Sequence, residues 1–181
     1  SASSPKREPS TMPPTVPAVR PCRPLVRQCV PVPFAAAASV TDASGNPIGL
    51  MLDFVNSAGG TVSVQSVSTL PPVDAETPVS DPDGLITDPV YPAQYYEINS
   101  DIEGSFVTDI GLSYNILPGI SSPNSLRIAK RPGNSGTAEP WQVIALSDTE
   151  IDTLTSQVVA VAQTSFSQWA MISNSSDNSF I

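Results

Sequence analysis

The sequence predicts an all-β fold: an antiparallel β-sandwich of about eight or nine strands, preceded by an extended proline-rich arm. Short apolar or alternating segments recur along residues 35–176, and turn residues separate them about every 8–12 positions, which is typical of sandwiches. No segment keeps a helical period over several turns. A chain of 181 residues is long enough for one such domain and an extension.

The arm comprises residues 1–34 and holds nine of the twenty prolines. Proline fixes φ and lacks an N–H donor, so neither a helix nor a central strand is expected here. We expect polyproline-like extended chain, which does not order itself and needs a partner to hold it. The alternative is a solvated linker. The sandwich then occupies residues 35–176, and residues 177–181 form a C-terminal tail.

Charge is divided unevenly between the arm and the body. Residues 1–34 carry five cations and one acid, a net charge of +4, whereas residues 35–181 carry three cations and sixteen acids, a net charge of −13. A basic arm on an acidic body favours contact between the arm and the body of a neighbouring copy.

The predicted strands follow in order along the body. They are Ala36–Thr41, Gly49–Val55, Thr61–Thr69, Pro92–Asn99, Ser105–Asn115, Asn124–Lys130, Pro140–Leu146 and a final buried pair within Gln157–Ile172, joined by a tight turn at Thr164-Ser165. In the third strand Val62, Val64 and Ser66 share one face, and the change of phase at Val67 predicts a bulge. The segment Leu70 to Tyr91 is rich in Pro and Asp and predicts a long loop.

The end of the arm alternates apolar residues with prolines. It is predicted to run either as an edge strand or as a strand donated to a neighbour's groove, because Pro31 and Pro33 exclude a central position. The simpler alternative is a domain-entry strand near Ala36. The residues predicted to carry assembly are Arg20, Arg23, Arg27, Val30, Val32 and Phe34.

Only two cysteines occur, Cys22 and Cys29, and both lie in the arm. They could close a small loop as a disulfide, and two thiols alone cannot complete a four-ligand zinc site. Abundant Ser, Thr, Asn and Gly, few lysines and an acidic balance favour an extracellular or cell-surface location.

The second half of the chain resembles a known family of modules. Its segments Tyr95–Ile98, Ile110–Ile120, Ser125–Arg131, Pro140–Ile144 and Val158–Met171 are similar to the successive strands of immunoglobulin-like modules in secreted or surface-anchored bacterial proteins of the Bacteroidetes and Chlorobi. The resemblance covers about residues 90–173. It implies an immunoglobulin-like β-sandwich and an exported location, and it supplies no catalytic residues.

Hard oxygen ligands suggest one metal candidate. Asp81, Asp83 and Asp88 are closely spaced and could suit Ca²⁺, although the EF-hand spacing is absent, and a solvated acidic loop is the alternative. No other cofactor is expected. The chain has no histidine and no Gly-x-Ser-x-Gly motif, so we expect no enzyme, and no motif supports a glycosidase carboxylate pair.

The composition also bears on sugars, nucleic acid and membranes as partners. Trp141, Trp169, Tyr91, Tyr95 and Tyr96 could stack on sugars, but their strand positions favour the core. Nucleic acid is not expected, because the acidic body repels phosphates and the arm's cations lack interleaved aromatics. No apolar run reaches the roughly 18 residues of a membrane span.

The sequence therefore predicts a structural subunit of an extracellular or cell-surface filament, sheath or layer, a homopolymer joined through its arms. Deleting residues 1–34 should leave a folded, soluble monomer. The alternatives are a non-catalytic adhesion module that binds a surface glycan, and an accessory subunit of an envelope complex or virion.

Overall fold

The computed structural model describes residues 28–32, 37–57, 59–73, 79–102, 104–132 and 139–181. This part of the chain contains thirteen strands and two short 3₁₀ helices, Pro123–Ser125 and Leu146–Asp148. The strands are β1 (Gln28–Val32), β2 (Ala37–Thr41), β3 (Pro47–Asn56), β4 (Gly60–Val67), β5 (Val79–Ser80), β6 (Pro89–Val90), β7 (Tyr95–Ser100), β8 (Val107–Ser113), β9 (Arg127–Arg131), β10 (Trp141–Val143), β11 (Thr149–Asp152), β12 (Gln157–Gln163) and β13 (Gln168–Asn174).

The strands form two sheets packed as an all-β sandwich, as the sequence predicts. The larger sheet has the order β1-β4-β7-β13-β9-β10-β5, with β6 also paired to β13. The smaller sheet has the order β11-β12-β8-β3-β2. The described pairs are antiparallel except β5 with β10. The count exceeds the eight or nine strands predicted for the body, because β5 and β6 are two-residue strands inside the predicted loop, β1 comes from the end of the arm, and no strand is predicted at β11.

The main core lies between the two sheets and follows from strand alternation. Side chains two residues apart on a strand point to the same face, so one apolar set per strand is buried. The inner faces contribute Leu50, Leu52 and Phe54 from β3, Val62 and Val64 from β4, Ile110 and Leu112 from β8, Ile128 from β9, Val158 from β12, and Trp169 and Met171 from β13.

A second, smaller core covers the outer face of the larger sheet. Strand β13 is buried on both faces, since Ala170 and Ile172 pack with Trp141 on the side away from the smaller sheet. Ile86 and Tyr91, from the segment that the sequence predicts as a loop, pack against this cluster.

Val67 is apolar although it lies on the outer face of β4, opposite to Val62 and Val64, because it packs against this second core. The pairing of β4 with β7 is continuous through Val67, so the predicted bulge is wrong. An apolar residue on the outer face is required here because that face is covered.

Two further expectations are corrected by the topology. Strand β13 is almost entirely buried, whereas β12 alternates between buried and partly exposed residues. The two strands lie in opposite sheets, so the connection after Gln163 crosses the sandwich instead of making a hairpin. The C-terminal residues are part of the body, because Phe180 packs in the main core. The Asn178 side chain also donates to Ser122, Ser125 and Ser173.

Candidate functional site

The end of the arm forms the edge strand of the larger sheet. Residues Gln28–Val32 pair antiparallel with this chain's own β4, with Gln28 opposite Val64 and Val32 opposite Gly60. The sequence left open whether this segment is an edge strand of its own sandwich or a strand donated to a neighbour. In the structure it is an edge strand of its own sandwich. The sandwich therefore begins at residue 28, seven residues before its predicted start at 35.

The proline in this strand occupies the position where its missing N–H costs least. Pro31 lies opposite Thr61. The Thr61 N–H donates to the Asp101 carboxylate, and the Thr61 carbonyl accepts from the Asp101 N–H at 3.0 Å, so both groups face away from β1. In an antiparallel pair such a position makes no ladder hydrogen bonds, and the backbone of Pro31 faces outward. A proline there also hinders addition of another strand to this edge.

Most of the predicted assembly residues lie outside the described residues. Arg20, Arg23, Arg27 and Phe34 belong to this group, whereas Val30 and Val32 are in β1. Cys22 also lies outside the described residues and Cys29 is in β1, so the disulfide stays a prediction.

The three carboxylates of the calcium candidate accept hydrogen bonds from different partners. Asp81 caps its own turn, accepting from the N–H groups of Leu85 and Ile86, both at 2.7 Å. Asp83 accepts from the Leu146 N–H at 2.7 Å, and Asp88 accepts from a serine hydroxyl after β13. Within the described ranges no group of three His, Cys, Asp or Glu side chains could hold a metal. These contacts fix the loop to the body and do not support the calcium candidate.

The aromatic residues predicted as core or sugar platform are in the core. Trp141 and Trp169 are fully buried, and Tyr95 and Tyr96 are buried beside them. Tyr91 is half-buried, and its ring centroid lies 6.1 Å from that of Trp141. Stacking on a sugar requires an exposed ring face, so these residues do not support the glycan alternative.

A buried arginine holds the covering segment against the larger sheet, and no sequence pattern indicates its burial. Arg131 is only 1% exposed, and its guanidinium lies 5.4 Å from the Trp141 ring centroid. It donates to the Gln168 side-chain oxygen at 2.8 Å and to the Pro72 carbonyl at 3.0 Å. Trp141 donates to the same carbonyl at 2.8 Å. In the sequence Arg131 precedes Pro-Gly, a pattern typical of a turn. Its burial beneath the segment that contains Pro72 depends on the pairing of β9 with β13, which the sequence does not display.

One end of the sandwich is closed by a tyrosine. The Tyr96 hydroxyl donates to the Ile48 carbonyl at 2.6 Å and accepts from Gln94 at 3.0 Å, and burial raises the Tyr96 pKa. The adjoining cavity has a volume of about 10 Å³. That volume accommodates about one water molecule and no organic substrate.

The outer face of the smaller sheet carries acidic side chains and no basic ones; Glu150 is exposed and the others are partly exposed. Its five strands contain four acids, Asp53, Asp109, Glu150 and Asp152, and no lysine or arginine. Asp53 on β3 lies directly opposite Asp109 on β8. No sequence pattern could have found this pair, because it depends on the register of two strands far apart in the chain.

The described residues include no helix long and apolar enough to cross a membrane. Scans of protein-family models, curated proteins and solved structures each find no match to this chain.

Proposed function

We propose that this chain is a structural subunit of an extracellular or cell-surface filament, sheath or layer, and that it polymerises by placing its N-terminal arm on a neighbouring copy. The observation that carries the proposal is the anchored edge strand β1. A segment of 27 residues that is rich in proline and arginine precedes the first residue of this strand in the sequence. The arm therefore begins at a defined place on each subunit, and β1 sets the direction of the chain at Gln28.

The direction follows from the register of β1. Gln28 pairs with Val64, and β4 ends three residues later at Val67. Only about three residues upstream of Gln28 can lie alongside β4 before the arm passes the end of the sandwich. The remaining chain, at about 3.1 Å per residue in polyproline conformation, spans roughly 70 Å. A domain of this size is roughly 40 Å across, so the extended arm reaches well beyond its own body.

Charge also supports a neighbour as the arm's partner. Of the three cations in the body, Arg131 is buried, which leaves Arg127 and Lys130 against many acids on the described surface. Bodies of like charge repel one another, and a basic arm laid between two bodies lowers that repulsion. The proposal includes an exported location, which the composition and the family resemblance favour.

The test compares the full chain with a variant that lacks residues 1–27. Sedimentation velocity and negative-stain electron microscopy should show concentration-dependent polymers for the full chain and a monomer for the truncated one. Circular dichroism should show the same β-sheet spectrum for both, because the truncation leaves β1 in place. Polymers of the truncated chain, or a full chain that stays monomeric at millimolar concentration, would refute the proposal.

A further inference from the structure

The outer face of the larger sheet is covered by another segment of the chain, whereas the described residues place no such segment over the outer face of the smaller sheet. On the larger sheet the segment before β7 buries Trp141, Ala170 and Ile172 in the second core. The described residues form no corresponding cluster over the smaller sheet. Glu150 is exposed there, and Val55 at the end of β3 is 64% exposed. The smaller sheet thus presents an uncovered face.

That face combines an apolar centre with an acidic surround. Gly111 lies at its centre, where an added Cβ would meet Gln157 at 2.8 Å and Met51 at 3.0 Å. Met51 and Val159 are the cross-strand partners of Gly111 and so lie on the same side of the sheet. Glu150 continues this row on β11.

The opposed aspartates leave charge unbalanced on this face. Asp109 accepts from the Ala162 N–H at 2.7 Å. The Asp53 backbone carbonyl accepts from the Thr108 hydroxyl, but the described residues offer its carboxylate no hydrogen bond or ion pair. Like charges directly opposite on neighbouring strands are destabilising. A cation from outside the sheet would relieve this repulsion, and an apolar stem would cover the centre.

We infer that the outer face of the smaller sheet is the docking surface for residues 16–27 of a neighbouring copy's arm. Within this segment Arg20 and Arg23 pair with Asp53, Asp109 and Glu150, and the prolines and valines of the segment cover the apolar centre. The inference rests on the proposed function and names its acceptor surface.

The repeat of the arm matches the spacing of the sheet. In polyproline conformation residues three apart lie on one side, so Arg20 and Arg23 project together about 9 Å apart. Asp109 on β8 and Glu150 on β11 are separated by two strand spacings across the sheet and by two residues along the strands, which together make roughly 12 Å, a difference that the long arginine side chains can span. An arm that crosses the strands can therefore present one arginine to each carboxylate.

The exit of the arm favours a neighbour over its own body. Asp53 pairs with Ala37, the first residue of β2, so it lies near the end of the sandwich where the chain leaves β1 at Val32. The arm departs from the opposite end, at Gln28. Docking on its own face would need a full reversal in a segment where seven of the first 27 residues are proline. A copy stacked head to tail instead presents its Asp53 end to the departing arm, and such contacts generate open filaments.

The experiment uses charge reversal in the full-length chain. An acceptor variant carries Asp53→Lys and Glu150→Lys, a donor variant carries Arg20→Glu and Arg23→Glu, and a control carries Asp148→Lys and Asp177→Lys. The control makes the same change in net charge as the acceptor variant, at sites outside the smaller sheet. Thermal unfolding of each variant establishes that it is folded.

We expect the acceptor and donor variants each to lose at least tenfold in association constant by sedimentation velocity, while the control assembles as well as the wild type or better. Mixing acceptor and donor variants should restore association, since each then offers a complementary partner to the other. A chain with all four substitutions should assemble alone. Docking of the arm on its own body would give no recovery on mixing.

The outcomes separate the two proposals. If the truncated chain fails to assemble but the acceptor variant assembles like the control, the arm docks on another surface and this inference is overturned while the proposed function stands. If the acceptor variant loses association but mixing does not restore it, Arg20 and Arg23 are not the partners of this face, and the inference is also overturned. If the truncated chain assembles, both are overturned.

Discussion

The register of β1 can be tested by placing proline at adjacent positions. Because the backbone of Pro31 faces outward, that of Val30 faces β4, and that of Cys29 faces outward again. Val30→Pro removes a donor that faces Val62, whereas Cys29→Pro removes a donor that faces solvent. Both substitutions impose a similar φ, so the strain that proline itself introduces is common to the two variants.

The difference between the two variants measures one ladder hydrogen bond. Leaving a buried acceptor unsatisfied costs about 1–3 kcal/mol, so Val30→Pro should be less stable than Cys29→Pro by about that amount. With an m-value of about 1–3 kcal/mol per molar urea, the midpoints should differ by about 1 M. Urea unfolding is followed by tryptophan fluorescence under reducing conditions, which removes any contribution from a disulfide at Cys29. Equal midpoints, or Cys29→Pro as the less stable variant, would show that β1 is misregistered or is not paired with β4.

Three other outcomes are expected. Removal of residues 1–27 should leave the free energy of unfolding unchanged, whereas removal of 1–34 should lower it by about 2–3 kcal/mol, because it exposes the apolar β4 edge; equal values would place the boundary after 34. Tyr96→Phe should cost about 1 kcal/mol, since it deletes a 2.6 Å hydrogen bond to a β3 carbonyl, and urea unfolding measures it. The Asn46 backbone N–H, with its side chain, lowers the pKa of exposed Asp42, so the Asp42 contribution is present above about pH 4 and lost as pH falls further; Asp42→Ala should flatten the acid limb of the stability–pH curve.

Local pattern was sufficient for the strands and most of the core. Alternation placed Val62 and Val64 inward, and both are buried. The tryptophans assigned to the core also lie there. These features depend on a period of two residues and on apolar side chains, which the sequence displays directly.

Features that depend on pairing across the chain could not be predicted. Whether the end of the arm pairs with its own sandwich depends on β4 having a free edge. The pairing of Asp53 with Asp109 depends on the register of β3 with β8. Arg131 looked like a turn residue and is buried because a distant carbonyl, that of Pro72, lies over it. In each case the partner is set by the packing of the whole sandwich, which no local window contains.

The uneven covering of the two sheets determines which face is free for a partner. On the larger sheet a guanidinium is enclosed by Gln168, Pro72 and Trp141, so separating the covering segment would leave a buried cation without its hydrogen bonds. A docking chain would have to supply the free energy of exposing that guanidinium, so this face does not serve as a docking surface. On the smaller sheet Glu150 is exposed and Asp53 and Asp109 are partly exposed, and a cationic chain can reach them without displacing any described segment. An arm that reaches a neighbouring copy thus meets one face that resists opening and one that is complementary in charge.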